Sequence, residues 1–196
     1  MRAAERNNYK RGWFRRRARS LRQRRFVFVD ETAVNTAMTR RYGRAPRGER
    51  AHDSAPRNYG AHTSLIGAMG LRGLAAALTV EGAVDADCFN AYLERVLGPR
   101  LRKGDVVVLD NLGAHWASRI EEVAAERGAQ VLWLAPYSPD FSPIEQCWSK
   151  IKTYLRGAKA RTGKELDKAL AQAIGLVSKA DIRGWFRHCG YSLARK

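Results

Sequence analysis

No stretch of the chain approaches the ~18 consecutive apolar residues of a membrane-spanning helix, and the start is rich in arginine without an apolar signal region. Both absences argue against a membrane or secreted protein and lead to the expectation of a soluble, cytoplasmic one. Cysteine is scarce: Cys88, Cys147 and Cys189 are odd in number, far apart and in no C-x-x-C spacing. Neither a disulfide framework nor a zinc site is indicated, and three free thiols packed in the interior are expected. Acid is also scarce, with 19 Asp and Glu against 36 Lys and Arg, a net charge of +17. No internal repeat is visible.

The excess charge is clustered. Residues 1–25 hold ten arginines and one lysine against the single acid Glu5, and a second cluster comprises Arg40, Arg41, Arg44, Arg47, Arg50 and Arg57. Guanidinium groups grip phosphate bidentately, and each phosphate neutralised releases counterions. A GC-rich gene explains arginine over lysine but not the seventeen surplus charges, so a nucleic-acid partner is expected. Arg40, Arg41, Arg44 and Arg47 are candidate backbone contacts. At 196 residues one domain is expected, with an appendage at each end: a basic arm over 1–25, a core over 26–160 and a basic helical tail over 161–196.

Phe26 to Asp30 reads as a buried strand, and Thr36 to Arg50 as a second strand and basic loop. Ser64 to Met69 and Leu74 to Val80, separated by Gly70 to Gly73, read as an antiparallel pair. Asp85 is a candidate N-cap for a helix carrying Phe89, Leu93 and Val96, stopped by Gly98 and Pro99. Then come a strand over Asp105 to Asp110, a helix over Arg119 to Arg127 capped by Ser118, and a strand over Gln130 to Leu134. That alternation signals a parallel pair with its crossover helix. Pro136, Pro139 and Pro143 stiffen the loop into a helix over Ile144 to Arg156, whose apolar stripe is Ile144, Trp148, Ile151 and Leu155. A further helix over Lys164 to Val177 precedes a basic tail containing Trp185 and Phe186. The pattern predicts an α/β fold: a ribonuclease H-like mixed sheet with helices on both faces.

Three acids stand out. Asp30 and Asp110 each follow a four-residue apolar run, and Glu145 lies in the first helical turn after the proline-stiffened loop, with 34 residues between it and Asp110. Singly, an Asp at a strand end is more often a turn or cap residue, and a Glu in a first turn answers the helix dipole. Together they are placed to meet at one sheet edge and hold two divalent ions, which suits phosphodiester chemistry. Lys152 lies two turns beyond Glu145 on the same helix face, so Lys152 and Gln146 are candidate DNA contacts, with a plain solvated face the alternative. Asn111 and His115 could orient a phosphate beside Asp110, or act as turn and cap residues.

These motifs resemble the DDE transposases of the mariner superfamily, especially the bacterial insertion-sequence branch. The resemblance rests on Phe28-Val29-Asp30-Glu31-Thr32, on Leu109-Asp110-Asn111 with His115, and above all on Leu134 to Glu145 followed by Trp148. Tyr42-Gly43-Arg44-Ala45-Pro46 with Gly48 resembles the basic segment of the insertion-sequence branch. The similarity implies catalytic metal ligands at Asp30, Asp110 and Glu145, two Mg²⁺ or Mn²⁺ ions, cleavage of transposon ends and transfer of the freed 3′ hydroxyl to target DNA. It also implies a homodimer on DNA and a nucleoid location. Because only a basic arm precedes Phe26, it further implies a helix-turn-helix partner encoded by an upstream frame, or a noncatalytic remnant. A metal-dependent nuclease of the same fold is the other alternative.

Overall fold

The computed structural model describes residues 6–58, 62–110 and 114–194, and the side chains of 114–117 are not among those described. Five strands form one sheet in the order β3-β2-β1-β4-β5: β1 (Phe26–Val34), β2 (Thr63–Gly70), β3 (Gly73–Glu81), β4 (Val106–Leu109) and β5 (Gln130–Trp133). β2 pairs antiparallel with β1 and with β3, whereas β4 pairs parallel with β1 and with β5. The helices are α1 (Asn8–Ser20), α2 (Ala86–Tyr92), α3 (Ala114–Glu126), α4 (Pro143–Ala158), α5 (Gly163–Gly175) and α6 (Lys179–His188).

Successive side chains of a strand face opposite sides, and both sides of this sheet are covered. Phe26, Phe28, Val106 and Val108 pack with Trp148, Ile151 and Phe186 on one face. Val27, Val29, Val107 and Leu109 pack with Phe89, Leu93, Ile120 and Val123 on the other. Double coverage is why Phe26–Val29 and Val106–Leu109 read as unbroken apolar runs instead of alternating ones. The fold is the expected mixed sheet with helices on both faces. All three cysteines are free, with Cys147 and Cys189 buried, and among the described residues no helix is long and apolar enough to cross a membrane.

Four local expectations are corrected. β1 does not stop at Asp30, because β2 continues its ladder to Val34↔Thr63 after the pairing with β4 has ended at Phe28↔Val108. Thr36 to Arg50 forms no strand: Asn35 Oδ1 accepts from the Ala37 N–H at 3.0 Å, turning the chain, and Arg161 donates to the carbonyls of Thr36 and Met38 at 2.8 and 3.0 Å, occupying groups a ladder would need. α3 begins at Ala114, so Ser118 lies inside the helix. The basic tail contains the helix α6, capped by Ser178 and Asp181 in a reciprocal box, with Phe186 edge-on to Phe28 at 5.4 Å.

The arginine-rich arm is helical for a similar reason. Asn7 accepts from the Lys10 N–H, and one stripe of α1, Arg11, Phe14 and Ala18, is buried while its other arginines face water. Phe14 stacks on Phe141 at 5.3 Å.

Candidate active site

The parallel pairing of β1 and β4 fixes the height of the two aspartates. Phe28 and Val108 are partners, and Asp30 and Asp110 each lie two residues farther along, on the edge where the parallel strands end. From β5 the chain returns through Leu134, whose N–H donates to the Leu109 carbonyl at 2.8 Å, and passes a short 3-10 turn at Pro139–Phe141 before α4. Pro143 occupies the first turn of α4, where its missing N–H costs nothing, and Glu145 follows two residues later.

The approach to Glu145 is braced from α1. Arg11, itself buried, donates to Ser138 Oγ at 2.6 Å and to both carboxylate oxygens of Asp140 at 2.9 and 2.6 Å, with its guanidinium 4.0 Å over the Phe141 ring. This forked ion pair holds the Asp140 carboxyl below its usual range, chiefly through the Arg11 hydrogen bond. The loop is therefore fixed by ionic and aromatic contacts as well as by its prolines.

Each pair among the three acids interacts. Burial, then the charge of Glu145 and with a smaller share Asp110, pushes Asp30 up to about 7; hydrogen bonds from the Glu31 backbone and Trp148 oppose the rise. Glu145 is raised first by burial, with Asp110 adding to it and Lys152 pulling the other way. Lys152 thus shares the Glu145 face, as the helical spacing predicts. Among the described residues no three acidic, histidine or cysteine side chains form a closed metal-ligand cluster. The donors are nonetheless hard oxygens that repel when ionised, the set that suits Mg²⁺ or Mn²⁺ and disfavours softer metals.

One neighbour escaped the sequence reading. The sequence places Trp148 in the apolar stripe and in the motif after Glu145 without a polar role, and it is 3% exposed. Yet its Nε1–H donates to Asp30 Oδ2 at 2.9 Å. The ring reaches Asp30 by crossing β2 at Gly67, the register partner of Asp30; a Cβ there would lie 2.5 Å from the indole. The available signal was chemical: a tryptophan buried one turn beyond Glu145 needs an acceptor for its N–H.

The other candidates are distributed unevenly. Arg40 lies against Gly157 of α4, where an added Cβ would sit 3.3 Å from its guanidinium. Arg41, Arg44 and Arg47 are exposed on the 35–58 loop, which is tied to the α4–α5 junction by Arg161 and by Lys159 on Asp53 at 2.8 Å. Gln146 folds back on its own helix, its amide placed to donate to the carbonyls of Ser142 and Pro143 at 3.2 and 3.0 Å. Asn111 lies outside the described residues; His115 falls in α3, its side chain outside the description.

The sequence pattern of the DDE superfamily endonucleases matches residues 25–167, spanning all three acids and the basic 35–58 loop. The chain belongs to the DDE superfamily endonuclease family. No curated protein matches it in sequence. In three dimensions this DDE endonuclease is similar to the Mos1 transposase in its paired-end complex with the left transposon end, at 18% identity and TM-score 0.72, covering 96% of this chain and 61% of that one. It is similar to the Mos1 mariner paired-end complex with Mn at 19% identity and TM-score 0.65, covering 96% and 63%. Against the isolated catalytic domain of Mos1 mariner transposase the values are 17% and 0.64, covering 93% and 85%. The common feature at such identities is the fold, and the DDE endonuclease chain spans about three fifths of the paired-end transposase.

Proposed function

We propose that this DDE endonuclease is the catalytic domain of a transposase, cutting transposon ends and transferring the freed 3′ hydroxyl to target DNA. The observation that carries the proposal is the mutual repulsion of Asp30, Asp110 and Glu145 on one sheet edge, in a family named for two aspartates and a glutamate. Carboxylates that raise one another's pKa, as these do, are stabilised as anions when a ligand cation joins them.

Asp30, Asp110 and Glu145 would hold Mg²⁺ or Mn²⁺; the Mos1 paired-end complex with Mn supports that choice of ion. Bound there, such ions activate the attacking hydroxyl and stabilise the leaving oxygen of a phosphodiester. The chain itself sets the geometry. Trp148 and the Glu31 backbone N–H hold the Asp30 carboxylate in place by hydrogen bonds. Arg11 and Phe14 lock the loop that delivers Glu145. Lys152 places a positive charge beside Glu145, where it meets a phosphate approaching the edge. Arg40, Arg41, Arg44 and Arg47 extend that positive surface along the backbone, and Asn111 and His115 are assigned to phosphate contact from their sequence positions after Asp110. Attack by hydroxyl or water is in line, and no covalent protein intermediate is needed.

Processing two transposon ends together calls for a homodimer on DNA, and a helix-turn-helix segment supplied separately would choose the ends. The basic Tyr42 to Gly48 segment supports placement in the insertion-sequence branch. Purified protein is tested for Mg²⁺-dependent nicking and for joining of a pre-cleaved 3′ end to plasmid. Both activities are expected, and both disappear in Asp30→Asn, Asp110→Asn and Glu145→Gln. Nicking that survives these changes rules out the assignment, and nicking without joining reduces the protein to a nuclease.

A further inference from the structure

The pole of the sheet remote from the three acids carries a groove of about 980 Å³, lined by eight arginines and no acid. Segments far apart in the chain build it. Arg22 and Arg24 come from the turn ahead of β1, Arg102 from the loop ahead of β4, and Arg183 and Arg187 from α6. All five are exposed. Parallel β1 and β4 begin at this pole, and the antiparallel β2–β3 hairpin turns here at Leu71 and Arg72. Asp30 lies four residue steps along β1 from Phe26, about 13 Å at ~3.3 Å per residue.

The assembly is deliberate at the level of contacts. Tyr191 packs against Phe26 and Phe28 at 5.5 and 5.3 Å, and the Ser192 N–H donates to Gln23, so the C-terminal segment is seated on the turn ahead of β1. Arg25 and Arg72 are fixed by Asp105, a carboxylate with 0% side-chain exposure. That one acid is already shared by two cations. Gathering Arg22, Arg24, Arg102, Arg183 and Arg187 into one concavity whose lining holds no acid costs mutual repulsion, and an external polyanion relieves it.

We infer that this groove binds the sugar-phosphate backbone of a second stretch of DNA, distinct from the stretch at the acidic edge. The inference rests on the proposed transposase function for its choice of DNA. Guanidinium forks match phosphate, and a concave lining follows a strand. An anionic membrane fits less well, because the leucines lining the groove are only partly exposed and offer little to insert.

The test uses the full chain and a fluorescein-labelled duplex of random sequence, read by anisotropy across a salt titration without divalent ions. In the quadruple variant Arg22→Ala, Arg24→Ala, Arg183→Ala and Arg187→Ala, the slope of log affinity against log salt should fall by about two or more, since each phosphate contact contributes ~0.9. The matching four Arg→Lys changes should keep most of the slope. On the unmodified protein, duplex should protect Arg22, Arg24, Arg183 and Arg187 from phenylglyoxal, read by mass spectrometry; this arm stands even if the alanine variant does not fold. An unchanged slope, or full modification in the presence of duplex, overturns the inference, as does protection by phosphatidylserine vesicles without protection by duplex. Nicking is scored separately in the Asp30→Asn protein, so a failed transposase assignment and a failed groove give different patterns.

Discussion

Asp30 and Asp105 lie at opposite poles of the same parallel strands, both shielded from water, and the protein treats them in opposite ways. Asp105 receives two hydrogen bonds from Arg72 at 3.2 and 2.7 Å, an ion pair from Arg25 at 3.3 Å and the Arg102 N–H at 2.9 Å. Asp30 receives a neutral indole and a backbone N–H, and it faces two further carboxylates. An acid supplied with cations by its own fold fastens loops together. One held among other acids is kept ready for a cation from solution. Burial alone does not separate the two; the sign of the neighbours does.

The sharpest break in the comparison is functional. Asp30→Asn or Glu145→Gln should lower Mg²⁺-dependent nicking by about 10³-fold or more while leaving metal-free DNA affinity intact; such factors correspond to removing a group from transition-state stabilisation. Asp105→Asn should do the reverse. It strands two arginines at the other pole and should cost about 3 kcal/mol in urea unfolding, with nicking per folded molecule unchanged. Normal stability in this variant would show that the arginines do not depend on Asp105.

Asp30 also gives the comparison a pH signature. Its carboxyl titrates near 3.8 when unfolded and at about 7 when folded, so between those values the folded protein holds the extra proton. Metal-free stability should therefore decline as pH rises from about 4 to about 7 and stay reduced above it. Asp30→Asn should remove the larger part of that decline, the raised Glu145 keeping a smaller part, and gain roughly 2 kcal/mol at pH 8, seen as a higher melting temperature. Equal pH dependence in both proteins would show that Asp30 is not the group responsible.

Smaller effects sharpen the picture. Trp148→Phe keeps the ring but removes the donor to Asp30, and should cost about 1 kcal/mol of stability together with a rise in the Mg²⁺ concentration needed for half-maximal nicking. An unchanged metal requirement would leave Trp148 a packing residue only. Lys152→Ala should have the least effect, weakening DNA affinity by under about 1 kcal/mol at low salt and not at all at high salt.

What could be read from the sequence was whatever depends on local order. The apolar runs before Asp30 and Asp110 gave two strands, and Pro143 with the Ile144–Leu155 stripe gave α4 almost to the residue. Helical spacing placed Lys152 beside Glu145. Features made by distant contacts were not legible. Arg161 cancels a strand more than a hundred residues upstream, and Phe28 gives α6 a surface on which an apparent tail becomes a helix. Trp148 looked apolar because its partner is 118 positions away in sequence. The rear groove was hidden for the same reason, its arginines being scattered through four parts of the chain.

The brace from Arg11 to Ser138 and Asp140 gives the segment ahead of the sheet a mechanical bearing on chemistry. The loop that leads into α4 and Glu145 is clamped by a helix whose own sequence holds no acid at all. A pull on α1, by any domain tethered to it or by DNA drawn across its outer arginines, would be felt as a shift of the glutamate relative to the two aspartates, with every strand still in register.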